Sequence, residues 1–239
     1  MNPLVIAIDS STTATKAIVV DTEGKVLALG RQDIDLLSPE QGFGEHDPRQ
    51  WWTSTRDAVA QALAQLTPAE KERIAAFGIT HQRESFAPFA ADGTPLRNGI
   101  LWLDIRAADQ VQRYGAPEIH ALSGRPADVT PGLYKMAWLK ENEPESLAKA
   151  DKVTTVSAYI AFCLTGKWVD SAACADSLSL SNIKTLEYDD GLLEIAGVRR
   201  EQMADLVKPG QVLGTLEKSI AEEWGIAEIP IVAGCGDGQ

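Results

Sequence analysis

The stretch Leu4-Val5-Ile6-Ala7-Ile8-Asp9-Ser10-Ser11-Thr12-Thr13-Ala14-Thr15-Lys16-Ala17-Ile18-Val19-Val20 decides the fold class. Residues 4–8 form a short β-branched run and residues 17–20 another. A Thr22-Glu23-Gly24 turn then introduces residues 25–29, so the opening reads as strand, turn, strand, turn, strand. Between the first two strands lies a tight polar loop, residues 9–16. A buried strand that ends in Asp9 and passes directly into hydroxyl residues offers a carboxylate for a hydrated Mg²⁺. Ser11, Thr12 and Thr13 supply consecutive hydroxyls and turn amides that surround a phosphate, and Lys16 adds positive charge. Neither G-x-x-x-x-G-K-[ST] nor G-x-G-x-x-G follows a strand, so the two common nucleotide fingerprints are missing. A plain polar hairpin turn accounts for this octapeptide equally well.

Outward from that hairpin, Asp47-Pro48 reads as an N-cap followed by proline at the first helical position. Trp52, Thr55, Val59, Ala62 and Leu66 recur behind it at helical spacing, predicting about five turns. Strands are predicted at residues 74–80, 85–89 and 100–103. Residues 106–164 read as mainly helical, punctuated by Pro126, Pro131 and Pro144, with Leu133, Met136, Ala137 and Leu139 on one buried face. A helix at 219–224 and a buried strand at 229–233 return the chain to α/β before Gly234-Cys235-Gly236-Asp237-Gly238-Gln239. The expectation is an α/β domain whose mixed central sheet has flanking helices and a helical insertion.

The 239 residues carry 22 basic and 34 acidic side chains, a net charge of −12, with no local Lys/Arg cluster. Such a surface repels a phosphate backbone or an anionic leaflet, so no nucleic acid and no membrane partner is expected. The three cysteines, Cys163, Cys174 and Cys235, are widely spaced without a C-x-x-C pair, which indicates neither a disulfide framework nor a zinc knuckle. The N-terminus lacks a basic leader, and no window approaches eighteen apolar residues. A cytoplasmic protein is the expectation.

Three further clusters carry chemistry. His81, Gln82, Arg83 and Glu84 end a predicted strand, where ligands sit in open α/β sheets, and their hydrogen-bonding groups suit a polyhydroxylated substrate. An internal salt bridge with a packed histidine is the bland alternative. Trp102 and Asp104 follow another predicted strand, the ring as an apolar wall and the acid as an acceptor for a sugar hydroxyl, with a helix N-cap role for Asp104 rated at least equal. Asp237, between two glycines, presents a carboxylate where the backbone can approach a ligand closely; a Gly-Asp-Gly turn without function is its alternative. No Ser-His-Asp set or metal-ligand cluster competes. Phosphoryl transfer to a hydroxyl needs little more than one acid to deprotonate the nucleophile and one to hold Mg²⁺.

Taken together, Asp9-x-x-Thr12-Thr13-x-x-Lys16, Gly42-x-x-Glu45-His46-Asp47-Pro48 before Trp51-Trp52, His81-Gln82-Arg83-Glu84, Trp102-x-Asp104-x-Arg106, Thr165-Gly166 and Gly234-x-Gly236-Asp237 resemble the FGGY carbohydrate kinases of the actin-like ATPase superfamily. The resemblance runs over the whole chain. It implies a ribonuclease-H-like domain that binds the sugar, with ATP and Mg²⁺ as cofactors. Asp9 would lie near Mg²⁺, Ser11, Thr12, Thr13 and Lys16 near the phosphoryl group, and Asp237 would be the base. Ser11 departs from the glycine of many members. His81-Gln82-Arg83-Glu84 resembles the glycerol kinases, yet Thr130 stands where those enzymes place a tyrosine, and Pro131-Gly132 looks more like the xylulose kinases. The substrate expectation is therefore a pentulose such as D-xylulose, with glycerol or another polyol as the alternative. Residues 1–239 would be the sugar-binding half, lacking the C-terminal nucleotide-binding domain and inactive alone. A homodimer is a further expectation, and a non-enzymatic sugar-binding module and a nucleotide hydrolase of the same fold are the competing classes.

Overall fold

The computed structural model describes residues 2–238; Met1, and the Gln239 that closes the last predicted loop, lie outside them. Strand β1 spans Leu4–Ser10, β2 Ala14–Asp21 and β3 Val26–Asp33. In β1, buried Leu4, Ile6 and Ile8 alternate with half-buried Val5, Ala7 and Asp9, the period-two pattern of a sheet with one face on a core. The Ser11 amide donates to the Ala14 carbonyl at 3.0 Å, so the loop contracts to residues 11–13 and Lys16 belongs to β2.

Strand β4 is Glu45–His46, followed by helix α1, Arg49–Leu63. Pro48 rather than Asp47 occupies its N-cap, although the Asp47 carboxylate accepts from the Arg49 amide at 3.0 Å. The helix has 15 residues, about four turns; Leu66 packs on the core from beyond its end. Strands β5 (Ile74–His81), β6 (Phe86–Phe89) and β7 (Gly99–Ile100) come next. Strand β7 is shorter than expected, because Leu101 donates to the Gly44 carbonyl and Asp104 to that of Leu101, which bends the chain away.

Helices at Ala108–Tyr114, Pro117–Ser123, Gly132–Asn142 and Pro144–Ala148 lead to β8, Lys152–Thr155, before helix Val156–Thr165. Four residues between helices are too few to show a period, which is why this strand was hidden in a stretch read as helical. Short strands β9 (Val169–Ser171), β10 (Ser181–Asn182), β11 (Glu187–Tyr188), β12 (Asp205–Val207) and β13 (Val212–Thr215) precede helix Lys218–Trp224 and β14, Pro230–Val232.

Six strands form a mixed sheet in the order β13-β14-β5-β1-β2-β3, in which β14, β5 and β1 are parallel and both flanks are antiparallel. Helices α1 and Val156–Thr165 pack against it over a core containing Leu4, Ile6, Trp51, Phe77, Ile160 and Ile231. Each such side chain removed from water contributes about 1.5–3 kcal/mol. A second core, with Phe86, Ile100, Leu133 and Met136, lies with the four-stranded sheet β4-β7-β6-β8. The segment between β5 and β6 passes from one sheet to the other. Asp9, His81 and Gly234 thus leave, or end, three adjacent parallel strands at their carboxyl ends, where open sheets place ligands. Among the described residues no helix is long and apolar enough to cross a membrane.

Candidate functional site

Asp9 pairs directly with Lys16 across the β1–β2 ladder, so both side chains project from one face of the sheet. The Asp9 Oδ2 accepts from the Ser11 hydroxyl at 3.5 Å, whereas its Oδ1 is buried and has no partner among the described residues. Burial raises the Asp9 carboxyl above its ordinary range; Lys16 opposes that rise and Asp237 adds to it. The two acids line one open cleft of about 560 Å³, together with Thr80 and Gly234. An orphaned carboxylate oxygen beside a second acid suits a hydrated Mg²⁺, which takes one or two carboxylates and completes its shell with water and phosphate oxygens. Among the described residues no group of three or more His, Cys, Asp or Glu side chains could hold a metal ion.

The hairpin turn has its carbonyls tied back. That of Ser11 accepts from Gln82 Nε2 at 3.3 Å, that of Thr12 lies 2.9 Å from His46 Nε2, and that of Thr13 accepts from the Ile34 amide at 2.9 Å. The amides of Thr12 and Thr13 donate to no group among the described residues. Successive unpaired N–H groups in a turn make a concave anion site.

At the end of β5, His81 is fully buried with Nδ1 against the Gln82 carbonyl, and burial lowers its imidazole to about 4. Its ring therefore stays neutral and out of the cleft. The part of His81 that reaches the site is its carbonyl, which accepts from the Asp237 amide at 3.2 Å. Gln82 is a hub, accepting from the hydroxyls of Thr12 (3.5 Å) and Ser85 (3.0 Å). Arg83 pairs with Asp176 at 3.1 Å and Glu84 with Arg125. Glu84 adopts φ +61°, a conformation that costs a non-glycine residue roughly 1–2 kcal/mol. Its amide is held there by the Ser177 hydroxyl at 3.1 Å. Burial raises the Glu84 carboxyl, with Arg125, Arg83 and Lys135 opposing.

Thr12, Gln82, Arg83, Glu84, Trp102 and Asp237 line a second cavity of about 300 Å³, at the small end for ligand sites. Trp102 is 42% exposed and its Nε1 donates to the Thr12 hydroxyl at 2.9 Å, giving an apolar wall anchored to the hairpin. Beneath it, the buried Lys135 ammonium donates to the carbonyls of Leu101 (2.7 Å), Trp102 (3.1 Å) and Thr130 (2.8 Å). Asp104 does not join this site. It is fully buried, accepts from the Gly44 amide at 2.7 Å and pairs with Arg106, which also reaches Glu45 at 2.7 Å and lies over the Phe43 ring. With its oxygens so engaged, Asp104 has no surface for a sugar hydroxyl. The structure thus places the side chains of Asp104 and His81, expected at the sugar, inside the protein and on neither cavity.

Two close approaches position Asp237. A Cβ on Gly234 would lie 2.1 Å from the Ile79 carbonyl oxygen, and one on Gly236 would lie 2.5 Å from the Arg83 side chain. The Thr80 hydroxyl adds a bond to the Cys235 carbonyl at 2.8 Å. Asp237 itself is exposed and borders both cavities, with the hairpin to one side and the Arg83–Glu84 pair to the other. Arg125, Asp176, Lys135 and His46 were not identified as site residues from the sequence. Only His46 lies in a stretch quoted for its resemblance, because the partners that bring the four to the site, Glu84, Arg83, Trp102 and Thr12, are at least 33 residues away in sequence.

A family model described as the FGGY family of carbohydrate kinases, N-terminal domain, matches residues 4–239. Among curated proteins, the glycerol kinase of Thermococcus gammatolerans is 33% identical over 100% of this chain and 49% of its own length. Among solved structures, a gluconate kinase from Lactobacillus acidophilus superposes with TM-score 0.92 at 29% identity, covering 100% of this chain and 49% of that one. A ligand-bound xylulose kinase from the same organism gives TM-score 0.92 at 29% identity over 99% of this chain and 48% of that one. The chain spans about half the length of the curated relatives it matches.

Proposed function

The chain belongs to the FGGY family of carbohydrate kinases, and from that membership and the geometry of its cleft we propose that it carries the sugar site and the reacting acids of an ATP-dependent kinase for a small sugar or polyol. The observation that carries the reading is that Asp9 and Asp237 line one cleft at the carboxyl ends of β1 and β14, while Thr12 and the same Asp237 line a second cavity.

In this reading the substrate lies between Trp102 and the Arg83–Glu84 pair, its hydroxyls meeting a guanidinium and a carboxylate that fixed partners already orient. Asp237 accepts the proton of the attacking hydroxyl, as a general base must from within hydrogen-bond reach. The Thr12 and Thr13 amides and Lys16 receive the phosphoryl oxygens, stabilising charge that develops in transfer. Asp9 would hold Mg²⁺, which neutralises phosphate charge when bound. The ribonuclease-H-like, actin-like description, the helical insertion over residues 106–164 and a cytoplasmic setting belong to the same proposal. So does the assignment of residues 1–239 as the sugar-binding lobe, with the nucleoside held by residues outside it.

A pentulose such as D-xylulose is the substrate proposed, since Thr130, where the resemblance to the glycerol kinases fails, is tied through Lys135 to the Trp102 loop. Glycerol is a second reading with equal support from relatives, favoured by the adjacent Arg83 and Glu84 in the cavity. A coupled ADP-release assay of the complete gene product against xylulose, ribulose, gluconate, glycerol, erythritol and xylitol decides between them. Asp237→Asn is expected to lower kcat by roughly 10²–10⁴-fold while calorimetry still detects sugar binding. Near-normal kcat in that variant would remove Asp237 as the base.

A further inference from the structure

The Gly42-x-x-Glu45-His46-Asp47-Pro48 stretch has no part in the mechanism above, yet both residues of β4 are buried, Glu45 at 5% and His46 at 0% exposure. Successive residues of a strand point to opposite faces. Glu45 is anchored on one side by Arg97 and Arg106, each at 2.7 Å. His46 turns the other way, toward the hairpin. Its Nδ1 lies 3.0 Å from Trp51 Nε1, and its Nε2 lies 2.9 Å from the Thr12 carbonyl oxygen.

The donors settle the tautomer. An indole N–H can only donate, so Nδ1 must present its lone pair. A carbonyl can only accept, so Nε2 must carry the proton. A doubly protonated ring would set Nδ1–H against the indole N–H, and burial independently lowers the imidazole to about 4, keeping it neutral. The chain of donors therefore runs one way, from Trp51 in α1 through His46 to Thr12.

We propose that His46 is a positioning residue for phosphoryl transfer: its neutral ring, held in one tautomer by Trp51, pins the Thr12 carbonyl and so keeps the Thr12 and Thr13 amides available to a phosphate. The chemical role rests on the kinase reading; the geometry does not. Gln82 supports the same turn from the Ser11 carbonyl, and Trp102 from the Thr12 hydroxyl. Gln82 holds the peptide group that carries the Thr12 amide, and His46 holds the one that carries the Thr13 amide.

The test uses the complete gene product with His46→Met and His46→Gln. Losing the donor in H46M should lower kcat by roughly 10–100-fold, the range seen when a residue that orients a reacting group is removed, with sugar KM essentially unchanged. The glutamine amide still reaches the carbonyl, so H46Q should recover most of kcat. Hydrogen exchange at residues 11–14 should be faster in H46M than in the native protein or H46Q, and ¹⁵N spectra of the native protein should show the Nε2–H tautomer. Unchanged kcat with unchanged exchange in folded H46M, or an Nδ1–H tautomer, overturns the proposal. If the native protein phosphorylates no sugar or polyol, the kinase reading fails, while exchange and tautomer still decide whether the strut exists. Should H46M not fold, the tautomer and the exchange behaviour of H46Q decide.

Discussion

Asp9 and Asp237 differ in environment although they share a cleft. Asp237 is exposed, whereas Asp9 is half-buried with one oxygen unpartnered. Burial, and secondarily the neighbouring acid, raise the Asp9 carboxyl above its unfolded value. A carboxyl whose folded pKa is raised gives stability that is present at acid pH and lost as pH rises through the folded value. Asp9→Asn should therefore raise Tm at neutral pH, with the gain shrinking on acidification, while Mg²⁺-dependent turnover is lost. If Asp9 holds Mg²⁺ as proposed, the apparent Mg²⁺ affinity of the native protein should fall as pH falls through the raised value, because the cation binds the carboxylate form. A Tm for Asp9→Asn that is lower at pH 8 than the native value would show that the oxygen is not an uncompensated burden. At this scale the acids and hydroxyls were legible in the sequence, since each follows an apolar strand directly. The exclusion of Asp104 was not, because its partner amide, Gly44, is 60 residues away.

Among the elements, β9 shows how a buried acid is used for architecture. Asp170 is fully buried; it accepts from the Thr155 hydroxyl at 2.6 Å and the Ser171 amide at 2.8 Å. Thr155 in turn accepts from the Ala158 amide at 3.1 Å as N-cap of helix Val156–Thr165. Burial pushes the Asp170 carboxyl up from 3.8 to about 7, against the pull of Thr155, Ser157 and Ser171. The folded state thus binds the extra proton, so stability should fall as pH rises from about 4 to about 7. Tm measured across that window should decline in the native protein and stay flatter in Asp170→Asn; equal slopes would refute the assignment. Elements longer than six residues, such as β1, α1 and β5, declared themselves by periodicity. The two- to four-residue strands β8 to β13 did not, because they exist through partners supplied by other segments.

Across the whole molecule, the ion pairs Arg83–Asp176 and Glu84–Arg125 tie the segment that follows β5 to parts of the chain 93 and 41 residues away. Arg83 and Glu84 leave the large sheet, while Arg125 and Asp176 come from the segments packed around the second core. These pairs are half-buried or better, where removing one partner costs more than at an exposed bridge. Arg125→Met should raise sugar KM about tenfold or more by freeing Glu84 from its strained conformation, with a much smaller change in ATP KM; equal changes in both would point to general loosening. Steady-state kinetics of the complete gene product read this out. By itself the sequence determined the alternation of β1 and β5, the acids at strand ends and the family, because period-two burial and turn chemistry are local properties. Only the tertiary structure decided that β1, β5 and β14 lie side by side in parallel, that Asp104 is sealed inside while Trp102 faces the cleft, and that His46 reaches Thr12. Those outcomes depend on which distant segments share a core, and no local run of residues encodes its partner's position.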